Sequence, residues 1–317
     1  MNPAREKTEY LLTKGFFGVL RILPAFLLYG FCRGLAALFY LFAVRRRKIA
    51  QCNIALAFPK LTPAEQKKIA RAAFDHFGQF TAESAMILAG KIGRDQLMDM
   101  VDGSDMQKLL DLEASTEKGI LFITGHLGNF ELLAHYTGMQ FKRHGQVVAR
   151  KGNNRLIDDR IVTPMRESFG NSVIYKDRAL PHIVRGLRKG NHVGLLIDIK
   201  IKSRQGLPVQ FFGHETYAIN SSAYLQLKLN PIVVPMTMVR IAARRYKLVV
   251  GDPVEWNDNG QPLEKQIADL TQIHQTTLEN LIRNYPEQWL WMHDRWKLPQ
   301  MERARRKNRH LKRMKRK

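Results

Sequence analysis

Apolar and polar positions along the chain change period twice. From Phe16 to Val44 the sequence is almost continuously apolar, interrupted by Arg21, Pro24 and Arg33, and Arg45-Arg46-Arg47-Lys48 follows at once. Counted from Ala25, about 20 residues carry a single arginine, roughly what crossing a bilayer requires. The interrupting arginines suit an interfacial or tilted helix equally well, and a buried soluble helix is the third reading. Thr62-Pro63-Ala64-Glu65 is a capping box with proline at the first helical position. It predicts a helix to about Leu88, with a second helical stretch over 96–113. Beyond Gly119 the period shortens. Ile120–Thr124, Gln146–Ala149, Ser172–Tyr175 and His192–Asp198 read as short buried strands separated by helical stretches. Pro231–Met238 is expected to pair with Tyr246–Val250 before a last helix over 263–284. The alternation predicts an α/β fold: a mixed, largely parallel central sheet flanked by helices, with an N-terminal membrane-anchoring helical segment. Expected boundaries are 1–48 for the anchor and its basic flank, 49–299 for the catalytic domain and 300–317 for a basic tail.

Composition changes this picture through charge. The 317 residues carry a net charge of +23. From Arg295 to Lys317 twelve Lys or Arg face a single acid, Glu302, so the tail holds about half of the excess. Nucleic acid, anionic lipid headgroups and an acidic protein are all suitable partners for it. The two cysteines, Cys32 and Cys52, have neither metal-ligand spacing nor a disulfide framework. There is no G-x-S-x-G elbow, P-loop, dinucleotide glycine fingerprint or H-E-x-x-H helix. Direct group transfer is therefore expected, with no metal and no covalent enzyme intermediate.

The chemistry concentrates in His126-Leu127-Gly128-Asn129-Phe130-Glu131. The histidine follows a predicted strand, where open α/β sheets bind ligands, and the glutamate lies in the first turn of the next helix. A neutral imidazole there can take a proton from a hydroxyl, with the carboxylate orienting it and balancing its charge. The same residues also fit a capped core strand. Arg150 and Asp198 end two other predicted strands and so share the rim with His126, while Arg166 lies near the end of a helix. Pro208-Val209-Gln210-Phe211-Phe212-Gly213 reads as an aromatic loop ahead of a helix, either a hydrophobic plug or the wall of an acyl groove. Trp289, Trp291 and Trp296, set among basic residues, suit a membrane interface or base stacking.

Together these segments resemble the late lipid A biosynthesis acyltransferases of Gram-negative bacteria, a glycerolipid-acyltransferase-like group. The likeness covers about 16–299. It rests on the apolar anchor; Arg45-Arg46-Arg47 before Asn53-Ile54-Ala55-Leu56-Ala57-Phe58-Pro59; the His126–Glu131 motif; Arg150 with Asn154 and Asp158; Arg166 before Gly170; Gly190 to Asp198; Phe211-Phe212-Gly213 with Thr216; and Pro286-Glu287-Gln288-Trp289-Leu290-Trp291 through Lys297. The resemblance implies an inner-membrane enzyme with its active site facing the cytoplasm. Such an enzyme moves a fatty acyl group from acyl carrier protein to a hydroxyl of a lipid A precursor. It needs no cofactor beyond its acyl donor, and its partners are the carrier protein, the lipid A precursor and anionic inner-membrane lipids. By position His126, Glu131 and Arg166 would be catalytic, with Arg150 the alternative arginine. Asn129, Arg150, Asp198, Phe211 and Phe212 would contact substrate. A superfamily member acting on a lysophospholipid is the near alternative. A membrane-tethered nucleic-acid-binding protein is the distant one, and no nucleic acid is expected.

Overall fold

The computed structural model describes residues 3–177 and 179–296. Four helices come first: α1 (Pro3–Ile22), α2 (Ala25–Phe42), α3 (Val44–Ala57) and α4 (Pro63–Leu88). Pro24 separates the first two because it cannot donate to an α-helical ladder; its carbonyl starts α2 by accepting from Leu27 and Leu28. Only a narrow stripe of α2 is buried: Leu28, Cys32, Ala36 and Tyr40, each four residues from the last. It packs on α4 at Gly78, where a Cβ would stand 2.8 Å from the Ala36 Cβ and 2.9 Å from the Cys32 carbonyl oxygen. Arg33 pairs with Asp75 of α4 at 2.7 Å. The remaining faces of α1 and α2 expose Leu12, Phe16, Ile22, Phe26, Phe31 and Phe42, among others. Among the described residues α2 is the one helix long and apolar enough to cross a membrane. The Thr62 capping box that starts α4 forms as expected, with Glu65 accepting from the Thr62 N–H at 2.7 Å and the Thr62 hydroxyl accepting from the Glu65 N–H.

Next come α5 (Arg94–Met100), β1 (Val101–Asp102), α6 (Met106–Ala114), β2 (Ile120–Thr124), α7 (Phe130–Gln140) and β3 (Gly145–Ala149). Two short helices, α8 (Arg155–Ile157) and α9 (Thr163–Glu167), flank a π-helical turn and lead into β4 (Asn171–Tyr175), α10 (Ala179–Arg188) and β5 (His192–Leu196). A hairpin of β6 (Leu207–Phe211) and β7 (His214–Ala218), then α11 (Ser221–Leu229), β8 (Ile232–Ala242), β9 (Arg245–Val250) and α12 (Leu263–Asn284) are the remaining strands and α-helices of the described residues. Seven strands form one sheet in the order β1-β9-β8-β2-β5-β3-β4, parallel at every pairing except β8–β9. β2 is buried at all five positions, as expected of a parallel strand covered on both faces. Leu121 and Ile123 enter the core with Leu278 and Ile282 of α12; Ile120 and Phe122 enter the other core with Leu132 and Leu133 of α7.

The structure departs from expectation in three places. The stretch 96–113 is two helices separated by β1 and a turn at Asp102-Gly103-Ser104, where Asp102 accepts from the Ser104 N–H. Gly103 is packed so closely that a Cβ would sit 2.0 Å from the Tyr136 hydroxyl oxygen. The aromatic segment 208–213 is not a loop but the first strand and turn of the β6–β7 hairpin. The boundary expected between residues 48 and 49 falls inside α3. The tail expected at 300–317 lies outside the described residues, as does Lys297.

Candidate active site

The register of β2 and β5 builds the site. Thr124 is paired with Leu196, and the Ile197 N–H donates to the Thr124 carbonyl at 2.9 Å. His126 and Asp198 are each two residues beyond that pair, so they leave the sheet side by side. Asp198 receives the His126 main-chain N–H on Oδ2 at 2.7 Å and lies 2.8 Å from His126 Nδ1 through Oδ1. Trp289 Nε1–H donates to Oδ2 at 2.9 Å. Gly125 admits this approach, since a Cβ there would meet Asp198 Oδ2 at 2.9 Å.

Burial opposes charge on both groups, and their mutual attraction outweighs it. For Asp198, 3 % exposed, burial raises the carboxyl pKa; the charge of His126 and three donated hydrogen bonds carry it well below the usual carboxylate range. For His126, burial lowers the imidazole pKa, but Asp198 and then Glu131 raise it to a net value above the ordinary one. With Nδ1–H given to Asp198, Nε2 is the basic nitrogen. The His126 side chain remains 19 % exposed, its ring edge-to-face with Phe130 at 4.9 Å.

The rest of the motif is clamped. Gly128 has φ +62°, and a Cβ there would fall 2.0 Å from the Met238 carbonyl oxygen, so glycine is required. Its N–H donates to Gln288 and its carbonyl meets His76 Nε2 at 3.0 Å; the Asn129 N–H donates to Met238 at 2.7 Å. These N–H groups are therefore committed within the fold and unavailable to an oxyanion. The Asn129 side chain caps α7 by accepting from Leu132 and donates to Glu83 at 2.7 Å. Glu83, fully buried on α4, also accepts from Tyr29 of α2 and from Arg240 of β8. Helix α2, the sheet and the loop before α7 thus meet at one carboxylate.

Glu131 faces a different partner. Arg166 Nη2 donates to it at 2.6 Å and Nε at 3.2 Å to both oxygens. The pair is partly open, with Glu131 13 % and Arg166 25 % exposed. Paired donation from one guanidinium fixes its plane and leaves Nη1 outside the pair.

The structure thus brings His126, Asp198, Glu131 and Arg166 together and corrects several assignments. The carboxylate that orients His126 is Asp198, not Glu131, because Nδ1 turns toward β5. Asp198 is consequently a partner of His126 rather than a substrate contact. Asn129 is fully buried and spent on capping and on Glu83, so it does not face the cleft. Phe211 and Phe212 are buried among Trp289, Trp291 and Trp296, which makes them the plug and not a groove wall. Arg150 is exposed past the end of β3, and the arginine beside Glu131 is Arg166. Trp289 is the participant that residue patterns missed. Its segment is held over Asp198 by Asn53, which donates to the Trp291 and His293 carbonyls, and by buried Arg295, which donates to Ile199, Tyr217 and Gln275. No group of three or more His, Cys, Asp or Glu that could hold a metal occurs among the described residues.

A histidine–aspartate dyad open to a cleft beside a positioned guanidinium, at the carboxyl ends of a parallel sheet, defines an α/β enzyme able to activate a hydroxyl. The family follows from comparison with known proteins: residues 2–298 match the bacterial lipid A biosynthesis acyltransferases, and the chain belongs to that family of O-acyltransferases. It is 28% identical over 294 residues to the lipid A biosynthesis lauroyltransferase of Escherichia coli (strain K12), covering 91% of this chain and 92% of that one. It is 26% identical over 258 residues to the lipid A biosynthesis palmitoleoyltransferase of the same organism, covering 81% and 80%, and equally similar to a lipid A biosynthesis acyltransferase of Shigella flexneri.

Proposed function

We propose that the protein transfers a fatty acyl group from an acyl carrier protein thioester to a hydroxyl of a lipid A precursor. The observation that carries this reading is the His126–Asp198 dyad, whose Nδ1 contact leaves Nε2 as the basic nitrogen, together with the Arg166–Glu131 pair. Nε2 takes the proton of the acceptor hydroxyl as its oxygen attacks the thioester carbonyl. Asp198 balances the imidazolium, and the Arg166 guanidinium, held in plane by Glu131, faces the developing oxyanion. Collapse of the tetrahedral intermediate forms the ester and expels the carrier thiolate. The thiolate recovers the proton from His126 as the free thiol.

Substrate access follows from α1 and α2, whose exposed apolar faces seat the protein in the inner membrane with the cleft on the cytoplasmic side. Basic residues, including Arg45 and Lys48, meet anionic headgroups, and the excess positive charge favours docking of an acidic carrier. The test offers purified protein in detergent lauroyl-acyl carrier protein with either a Kdo-bearing tetraacyl lipid A precursor or lysophosphatidic acid. Product from the lipid A precursor supports the assignment. Product from the lysophospholipid alone overturns the acceptor.

A further inference from the structure

Between α7 and the sheet lies an apolar slot that none of the dyad chemistry uses. One end touches Thr124, Leu196 and Phe130, the last in ring contact with His126. It runs along the α7 face of β5 to His192. Four residue intervals of strand make this about 13 Å. The far end is closed by three rings: Phe122 and Phe141 stack at 5.4 Å, and His192 packs on Phe141 at 4.5 Å. His192 is fixed there, since Nε2 meets Glu113 at 2.8 Å and Nδ1 accepts from the Ile120 N–H at 3.3 Å.

One position lining the slot, residue 194, carries no side chain. Gly194 occupies the middle of β5, between β2 and β3, where glycine is unfavourable and often marks the close approach of a ligand. Its φ is not in the left-handed region, and a Cβ built on it would have only the Gln146 carbonyl oxygen within 4 Å, at 3.9 Å. Neither backbone strain nor packing demands glycine here. A side chain at 194 would point into the slot. Although β5 is an interior strand, Gly194 and Leu196 keep accessible surface while Val193 and Leu195 are buried, so the opening lies on the α7 face.

We infer that this slot takes the hydrocarbon chain of the acyl donor and that Gly194 and the Phe122–Phe141–His192 floor set its length. The inference rests on the acyl-transfer reading above. The donor chain begins at the carbon attacked beside His126, and Phe130 at the near end of the slot is in ring contact with His126, so a chain entering there is measured from close to the reacting carbon. At about 1.2 Å per bond, the rise of an extended chain, 13 Å holds about ten to twelve carbons. The preferred donor is therefore of medium length.

The experiment measures kcat/KM for acyl carrier protein thioesters of four to sixteen carbons at a fixed lipid A precursor. Wild type is compared with Gly194→Ala, Gly194→Val and Phe141→Ala, each checked by thermal melting. Wild type should peak at ten to twelve carbons. Gly194 lies half-way along the slot, at about six carbons, so Gly194→Val should lose about fourfold for each methylene beyond that point; Gly194→Ala should shift the same way by less, and Phe141→Ala should move the optimum to longer chains. A profile identical to wild type in folded Gly194 variants, or an equal loss at every length, overturns the inference. Absence of transfer by wild type with every donor instead overturns the acyl-transfer reading.

Discussion

Asp198→Asn keeps the shape of the dyad and removes its charge. The wild-type carboxylate receives three N–H donors, from the His126 main chain at 2.7 Å, His126 Nδ1 at 2.8 Å and Trp289 Nε1 at 2.9 Å. A carboxamide has one oxygen and one NH2. With its oxygen at the Oδ2 position it retains two donors, and its NH2 then faces Nδ1. Nδ1 must become the acceptor, so the imidazole proton moves to Nε2 and the nitrogen facing the cleft can no longer act as a base. The corresponding swap in the Ser-His-Asp triad costs about 10⁴ in kcat, and a positioned general base contributes about 10²–10⁴. Asp198→Asn should therefore lower kcat by about 10²–10⁴ with KM little changed and the melting transition intact. The pH profile supplies an independent check. In wild type the rate rises with pH through the His126 pKa, which Asp198 holds above its ordinary value against burial. In the variant that attraction is gone and burial remains, so the acid limb of the residual activity moves to lower pH. Steady-state transfer from pH 5 to 9 reads both effects. A kcat close to wild type, or an acid limb that does not move, would refute the dyad.

Arg166→Lys, which cannot donate in pairs, should lose about 10²-fold in kcat while remaining folded, and a smaller loss than Glu131→Gln in the same transfer assay would contradict a shared role. Glu83→Gln should destabilise by about 3–5 kcal/mol in denaturant melts because it leaves the Arg240 guanidinium, 9% exposed, without its charge partner; Tyr29→Phe should cost about 1.5–3 kcal/mol as one hydrogen bond to a charged group is lost. Gly128→Ala should abolish activity and lower the melting temperature, since the new Cβ collides with the Met238 carbonyl. His135 and His274 are buried, with pKa values pushed down to about 4 by desolvation. Below the ordinary value of 6.5 the unfolded chain binds protons that the folded one refuses, so stability falls from about pH 6.5 to about pH 4, by about 3 kcal/mol for each histidine. His135→Phe should flatten this loss in melts at pH 5, and an unchanged slope would count against its burial as a neutral ring.

The motif His126–Glu131 and the strand ends at Arg150 and Asp198 were legible because apolar runs bounded by glycine and charge mark buried strands. What the chain order concealed was strand adjacency. β5 follows β3 and β4 in sequence but inserts between β2 and β3, so the pairing of Thr124 with Leu196, 72 residues on, has no local signal. That register decides which carboxylate meets His126, and the nearer acid, Glu131, was the natural but incorrect choice. Asn129 illustrates a second limit: a polar residue inside a catalytic motif looks like a ligand contact, yet an N-cap consumes it. Phe211 and Phe212 show a third, because an aromatic pair has the same composition in a plug as in a groove. Gly194 has no local signal, since the space beside it is defined by α7 and five strands together.

The central claim is that His126 acts as the base for acyl transfer to a lipid A precursor. Its most direct test is single-turnover transfer of a radiolabelled acyl group from acyl carrier protein to the Kdo-bearing tetraacyl precursor, with wild type beside His126→Ala in detergent. The account predicts one labelled acyl chain added by wild type and a rate at least about 10²-fold lower in the folded variant. Comparable rates in the two proteins, or no transfer by folded wild type, would contradict it.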